Sequence, residues 1–391
     1  MENRTSSASV ALLETLISYA SVSLTSNIEL IRKVQEVLAE ADIESMLVPD
    51  PHDPSRSNLF ATVGPAGIPG VLLSGHTDVV PVEGQPWTSP PFEATHRSGR
   101  IYGRGTADMK GFVACAVTAM VAAARRPLRR PLQLALSFDE EIGCVGVRHL
   151  LQCLETSLPA PYLCIVGEPT LMQIGTGHKG KAAYRAICCG QAGHSGLAPR
   201  FFNAIHMASD LVASMRDVQR ELAENGPRDE GYGVPYSTVH AGVIHGGRAL
   251  NIVPSECEVS FEIRNVSDDK PEEILRRILE RLTVRIKNEA TDPAAPLPDI
   301  QMTNSYPSLN TSEDSPAVSL LARLLPPGTS CAKVDYGSEG GLFQQSWNET
   351  PVLICGPGSI AVAHKADEYV ELAQIEACDR MLSGLVDYLC Q

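Results

Sequence analysis

The chain has 391 residues and a formal net charge of −14, with 43% apolar and 20% charged residues. That length exceeds what one hydrophobic core usually serves, so two domains are expected. The acidic balance argues against a nucleic-acid partner, which needs a basic face.

The opening segment, residues 1–10, is polar and lacks the apolar centre of a signal peptide, so the expected location is the cytoplasm. The spacing of apolar residues predicts helices over 7–19 and 27–40, short buried strands over 58–63 and 71–74, and a helix over 111–125. The apolar run 112–124 inside that helix is short for a bilayer and is flanked by Lys110 and Arg125, so no membrane partner is expected. A strand over 132–138, a helix over 145–154 and a strand over 162–166 follow. Strand–helix alternation of this kind implies a largely parallel sheet covered on both faces.

Past Lys179 the texture changes. Residues 181–189 alternate like a strand with one exposed face, 203–224 read as a long helix, 238–244 and 256–265 as strands, and 271–288 as a helix. This is a small α+β domain inserted into the larger one, with the Pro- and Ala-rich stretch 291–298 as the return linker. The division is 1–179 with 292–391 against 180–291. Strand and helix signals resume at Val352 and Leu372. The eleven cysteines are scattered with no C-x-x-C pair, and they read as reduced, buried small hydrophobes rather than as disulfides or thiolate ligands.

Strand ends on an open α/β sheet are where sites form. The strand V-L-L-S-G runs into His76-Thr77-Asp78. Asp108 lies in G-R-G-T-A-D-M-K-G just before a helix, where an N-cap is the plain alternative. Asp139-Glu140-Glu141 follow the strand 132–138, Glu168 ends the run Y-L-C-I-V-G, and His364 follows the Gly-rich loop after the strand at Val352. Five strand ends thus deliver His76, Asp108, Glu140 with Glu141, Glu168 and His364. Two imidazoles and several carboxylates match the nitrogen and oxygen ligands of a pair of zinc ions, with one carboxylate bridging and one acid left over as a base.

At these residues the sequence resembles the family of dinuclear zinc amidohydrolases that includes acetylornithine deacetylase, succinyl-diaminopimelate desuccinylase and aminoacylase. The resemblance runs from about residue 58 to the C-terminus. It is carried by S-G-H-T-D-V-V-P, G-R-G-T-A-D-M-K-G, D-E-E-I-G-C-V-G-V-R-H-L, V-G-E-P-T, T-G-H-K-G, G-H-S-G-L-A-P, N-I-V-P and G-P-G-S-I-A-V-A-H-K-A-D-E-Y-V. T-G-H-K-G and the last segment point to the acetylornithine deacetylase branch. Ala366 departs from it where proline is common, and the segment from Lys333 to Glu339 departs from the related Y-G-T-E-A.

The resemblance implies a zinc-peptidase-like α/β catalytic domain with an inserted dimerisation or lid domain, and a homodimer. It implies two Zn2+ ions, with Co2+ or Mn2+ as substitutes. Asp108 bridges them, His76 and Glu168 complete one site, Glu141 and His364 complete the other, and Glu140 is the general base. Asp78 fixes the tautomer of His76 through its second nitrogen. His194 reaches a partner subunit's active site. The implied reaction is hydrolysis of an N-acyl amino acid, N2-acetyl-L-ornithine first, as in arginine biosynthesis. Read from the residues themselves, Arg264, which closes the strand F-E-I-R, is either a surface strand charge or a fork for the substrate's α-carboxylate, assisted by Asn251 and the backbone of Gly358, Ser359 and Ile360. Asp335 or Glu339 is either an ordinary acid or an attractor of a cationic side chain. Another acyl amino acid, a dipeptide, or a non-catalytic metal-binding module are the alternatives.

Overall fold

The computed structural model describes residues 7–289, 297–348 and 350–391. Residues 291–296 of the expected linker and the first six of the chain lie outside the described residues. The protein divides into two compact units, one of Met1–Gly177, Leu309–Lys333 and Ser338–Gln391, the other of His178–Ser308 and Val334–Gly337.

The first unit is built on a nine-stranded sheet whose main path runs Ser45–Pro49, Ser57–Val63, Leu132–Ser137, Val71–His76, Leu163–Pro169, Val352–Gly356, Ile174–His178 and Leu309–Asn310. The four strands in the middle of this path, from Leu132–Ser137 to Val352–Gly356, are mutually parallel, while Ser45–Pro49 with Ser57–Val63, Ser57–Val63 with Leu132–Ser137, and Val352–Gly356 with Ile174–His178 pair antiparallel. The fold is therefore mixed α/β with a largely parallel centre, as the alternation of elements requires. The middle strands are buried along their whole length. Leu73, Leu134, Ile165 and Leu353 join a core shared with the helices Ala8–Ile17, Ile28–Ala39, Gly111–Ala123 and Leu372–Leu389. Ser7 caps the first of these helices, accepting from the Val10 amide at 3.3 Å.

The helix Gly111–Ala123 is apolar on almost every side because it sits between the sheet and other helices. Taken with the turn before it, Thr106–Ala123 has the length and mean hydropathy, 1.3, of a membrane span, but 83% of that stretch is buried inside the protein. Its packing is close. A Cβ added at Gly167, beside Glu168, would fall 1.9 Å from the ring of Phe112, so that strand approaches the helix as only glycine allows.

The second unit is a four-stranded antiparallel sheet in the order Thr238–Gly246, Glu256–Asn265, Gly180–Cys189, Asp299–Tyr306. The helices Ala204–Asn225 and Pro271–Glu289 cover it, and Tyr184, Phe261, Leu211 and Ile278 are among its core residues. The chain re-enters the first unit at Leu309, later than the boundary at 292 read from the sequence. The cause is the strand Asp299–Tyr306, which pairs with Gly180–Cys189 and so belongs to the smaller sheet.

Candidate metal centre

Parallel strands bring their carboxyl ends to one edge, and here that edge carries the ionisable residues. His76 is the last residue of Val71–His76, and Glu168 lies at the end of Leu163–Pro169. Glu140 and Glu141 follow Leu132–Ser137, and His364 lies in the loop after Val352–Gly356. Asp108 is the exception to the five strand ends. It arrives on the irregular turn Thr106–Lys110 before the helix Gly111–Ala123, with non-helical φ −125° and ψ 92°. It is not that helix's N-cap, and its carboxylate points to two imidazoles instead.

His76 Nε2 lies 3.0 Å from Asp108 Oδ1 and 4.0 Å from Glu168 Oε1. His364 Nε2 lies 3.2 Å from Asp108 Oδ2 and 3.0 Å from Glu141 Oε2. The result is two triads, His76–Asp108–Glu168 and Asp108–Glu141–His364, each with its donor atoms within 4.8 Å of one another and with Asp108 common to both. Every member is largely buried except the His364 side chain, which is 48% exposed.

The electrostatics fit cations at this place. Burial and the neighbouring carboxylates push the pKa of Glu140 and Glu168 well above the usual range. Burial, with the charge of Asp108, raises Glu141 to about 7. Burial opposes a charged His76, yet Asp108 and Asp78 outweigh it and hold its pKa well above 6.5. Hydrogen bonds to Asp108 and Glu141 lift His364 to about 10. Four carboxylates outnumber two imidazoles here, and divalent ions taking nitrogen and oxygen donors would offset that excess of negative charge.

The acids after Leu132–Ser137 divide their tasks. Asp139, at φ 53°, turns away to pair with Arg56 at 2.5 Å and to accept from the Leu24 amide at 2.7 Å. Glu141 joins a triad. Glu140 belongs to neither, and its Oε1 accepts from the Cys144 thiol at 3.2 Å.

Asp78 differs from its expected geometry. The nearer acceptor for His76 Nδ1 is the Asp78 main-chain carbonyl at 2.9 Å, with the carboxylate at 3.6 Å. The carboxylate instead accepts from Ser23 Oγ at 2.7 Å and from the amides of Glu140 and Glu141 at 3.0 and 3.3 Å. A short H-x-D segment lets the backbone carbonyl reach the ring first, which frees the side chain for the neighbouring loop.

Glu339 lies deeper than a surface acid. It is 1% exposed and accepts from Ser74 Oγ at 3.1 Å, and burial raises its pKa. It lies among the strands rather than on an open face, because it leads into the buried start of the helix Gly340–Ser346. Gly358 packs against Ala107, and its carbonyl accepts from the Leu171 amide at 2.8 Å. Ser359 Oγ accepts from the Ala361 amide at 3.2 Å.

His194, Asn251, Arg264 and Asp335 belong to the second unit. The short pairing of Gly193–His194 with Ile252–Val253 sets His194 opposite Ile252, and the Ser195 amide donates to the Asn251 carbonyl at 3.0 Å. His194 Nδ1 accepts from the Gly196 amide at 3.1 Å, so its proton resides on Nε2. The Arg264 fork is engaged by Glu262, with Nε to Oε1 at 3.0 Å, and by the Tyr306 hydroxyl at 2.8 Å.

Arg104 lies in G-R-G-T-A-D-M-K-G and Glu368 in H-K-A-D-E-Y-V. They form a salt bridge of 2.8 Å with both side chains 1% exposed, directly behind the turn that carries Asp108. A buried charge pair flanking a ligand is a signal that only the structure makes visible.

The model of peptidase family M20/M25/M40 matches residues 72–388, which include every member of both triads. The chain belongs to this family. It is 32% identical to the acetylornithine deacetylase of Photorhabdus laumondii over 97% of both chains. It is 31% identical to that of Proteus mirabilis over 97% of this chain and 96% of the other. Among solved structures, the aminopeptidase PepT of Bacillus cereus superposes with a TM-score of 0.77 at 18% identity, covering 98% of each chain. Family membership together with the two triads makes the chain a metal-dependent amidohydrolase and removes the alternative of a non-catalytic module.

Proposed function

We propose that the protein hydrolyses the amide bond of an N-acyl amino acid, with N2-acetyl-L-ornithine as the first candidate, giving ornithine and acetate for arginine biosynthesis. Glu140 carries the reaction class: it is an acid beside both triads and a member of neither. The likeness to acetylornithine deacetylases over nearly the whole chain supports the substrate.

His76, Asp108 and Glu168 would hold one ion and Asp108, Glu141 and His364 the other, with zinc as the expected metal. When bound, the ions supply Lewis-acid activation of water and of the scissile carbonyl. Glu140 takes a proton from the attacking water and passes it to the leaving nitrogen as the C–N bond breaks. Asp78 keeps Glu140 in place through the backbone of the loop.

In a homodimer, His194 of a second copy donates from Nε2 to the oxyanion. Such donors are each worth about 3 kcal/mol. Arg264, with Asn251 and the backbone at Gly358 and Ser359, receives the substrate's α-carboxylate. A second reading is the same chemistry on another acyl amino acid or a dipeptide. A panel of acetyl, succinyl and formyl amino acids and dipeptides, scored by amine release with and without chelator, tests both readings. Acetylornithine giving the highest kcat/KM supports the first. No chelator-sensitive release from any member sinks the reaction class.

A further inference from the structure

We infer that Arg104 and Glu368 are positioning residues which fix the Asp108 carboxylate and the His364 ring relative to each other, and so set the affinity of the paired metal sites. The inference rests on the metal-centre reading above.

Glu368 has its carboxylate fully engaged. Oε1 accepts from the amides of Ala107 at 2.9 Å and Asp108 at 3.1 Å. Oε2 accepts from the Gly105 amide at 3.0 Å and from Arg104 Nη1 at 2.8 Å. Three of these donors are backbone amides of the turn that ends in Asp108. That turn needs an outside acceptor, because its non-helical dihedrals at Asp108 and Met109 take it out of the regular helical ladder. It also requires Gly105, at φ 85°, whose Cβ would lie 2.7 Å from Val79.

Glu368 stands four residues after His364 on the same loop, and Arg104 ties the rest of that loop down. Its Nη1 reaches the Lys365 carbonyl at 3.3 Å and its Nη2 reaches Gln85 Oε1 at 2.5 Å. Gln85 Nε2 then donates to the His364 carbonyl at 3.1 Å. The Arg104 guanidinium also lies 5.1 Å from the centre of the Trp87 ring. From the Asp108 amide, hydrogen bonds through Glu368 and Arg104 branch to the His364 carbonyl by way of Gln85 and to the carbonyl of the adjacent Lys365, and neither branch uses a metal-ligand side chain. Such support matters at His364, which holds φ 62°, a left-handed conformation uncommon outside glycine, and whose side chain is half-exposed. A lone structural ion pair would need neither the three turn amides nor the link through Gln85.

The test is Zn2+ competition against a chromophoric chelator on metal-free protein, with the melting temperature of each metal-free sample measured alongside. The strongest variant is the double change Arg104→Met with Glu368→Leu, which removes the pair without leaving one charge unpartnered. Expected are a lower melting temperature, because the amides of Gly105, Ala107 and Asp108 lose their acceptor, and, in protein still folded without metal, Zn2+ affinity lower by about 10- to 100-fold. Glu368→Gln, which keeps an acceptor oxygen for the turn, should lose less. Glu371→Gln, at the exposed pair with Arg100, should change neither quantity. A folded double variant with wild-type affinity overturns the inference. If the double variant does not fold, Glu368→Gln and Arg104→Lys decide: a tenfold loss in either supports it, and wild-type affinity in both overturns it. Wild-type protein that binds no Zn2+ would instead sink the metal-centre reading itself.

Discussion

The carboxylate of Asp78 holds the main chain of Glu140, accepting its amide at 3.0 Å, and so controls where the candidate base stands without touching it side chain to side chain. Asp78→Ala should therefore lower kcat by about 100-fold, the size of effect that misplacement by about 1 Å produces. Metal content should fall much less, because the closer support of His76 is a backbone carbonyl that the substitution keeps. Turnover and bound metal measured on the same samples check this. Metal loss that parallels the loss of turnover would refute it.

Glu140→Gln and Glu141→Gln should separate cleanly. The first keeps both triads and removes a base, so turnover should fall by about 10²- to 10⁴-fold with metal retained. The second removes a member of the triad with His364, so metal affinity should drop. Interchanged phenotypes would reverse the assignment of the pair.

Metal affinity should rise with pH. Without metal, Glu141 titrates at about 7 and His364 at about 10. Both must lose their protons to serve as ligands. Of the protons displaced, Glu141 and His364 contribute about two below pH 7 and about one between pH 7 and 9, and His76 and Glu168, both raised, add to these. The logarithm of affinity should climb more steeply from pH 5.5 to 6.5 than from 7.5 to 8.5. Competition titrations across that range would detect it, and a flat profile would rule it out.

The role given to His194 calls for mixing. Glu140→Gln and His194→Ala homodimers should each be nearly inactive. A mixed dimer has one site with an intact base and a borrowed intact histidine, so activity should partly return once subunits exchange. Exchange demonstrated by mass labelling, with no activity regained, would end the proposal.

The central sheet was legible because its strands are short apolar runs between an apolar helix and turn residues, and periodicity reports burial directly. The strand Asp299–Tyr306 was not legible. It is half-exposed, pairs along only one side and adjoins a Pro-rich stretch that reads as linker. At the site, residue type and strand-end position pointed to an acid-rich cluster. They did not say which of three consecutive acids does what, since the separation comes from the positive φ of Asp139 and from Arg56, far away in the chain. The burial of Glu339 was hidden for the same reason: its surroundings, Ser74 and the strand ends, are set by tertiary contacts. Glu368 meets Arg104 across 264 residues, a distance no local pattern spans.

The contact of Gly167 with Phe112 gives the molecule a genetic property. Gly167→Ala places a methyl group where the ring now lies, and the adjacent Glu168 must move with the strand. The lesion is one of volume, so a smaller residue at position 112 should suppress it even though that position carries no ligand. Selection for revertants of Gly167→Ala should return Phe112→Leu or Phe112→Val before any change among the triads. Each substitution alone should be harmful and the pair less so, making the two positions a compensating couple that diverging sequences can cross only together.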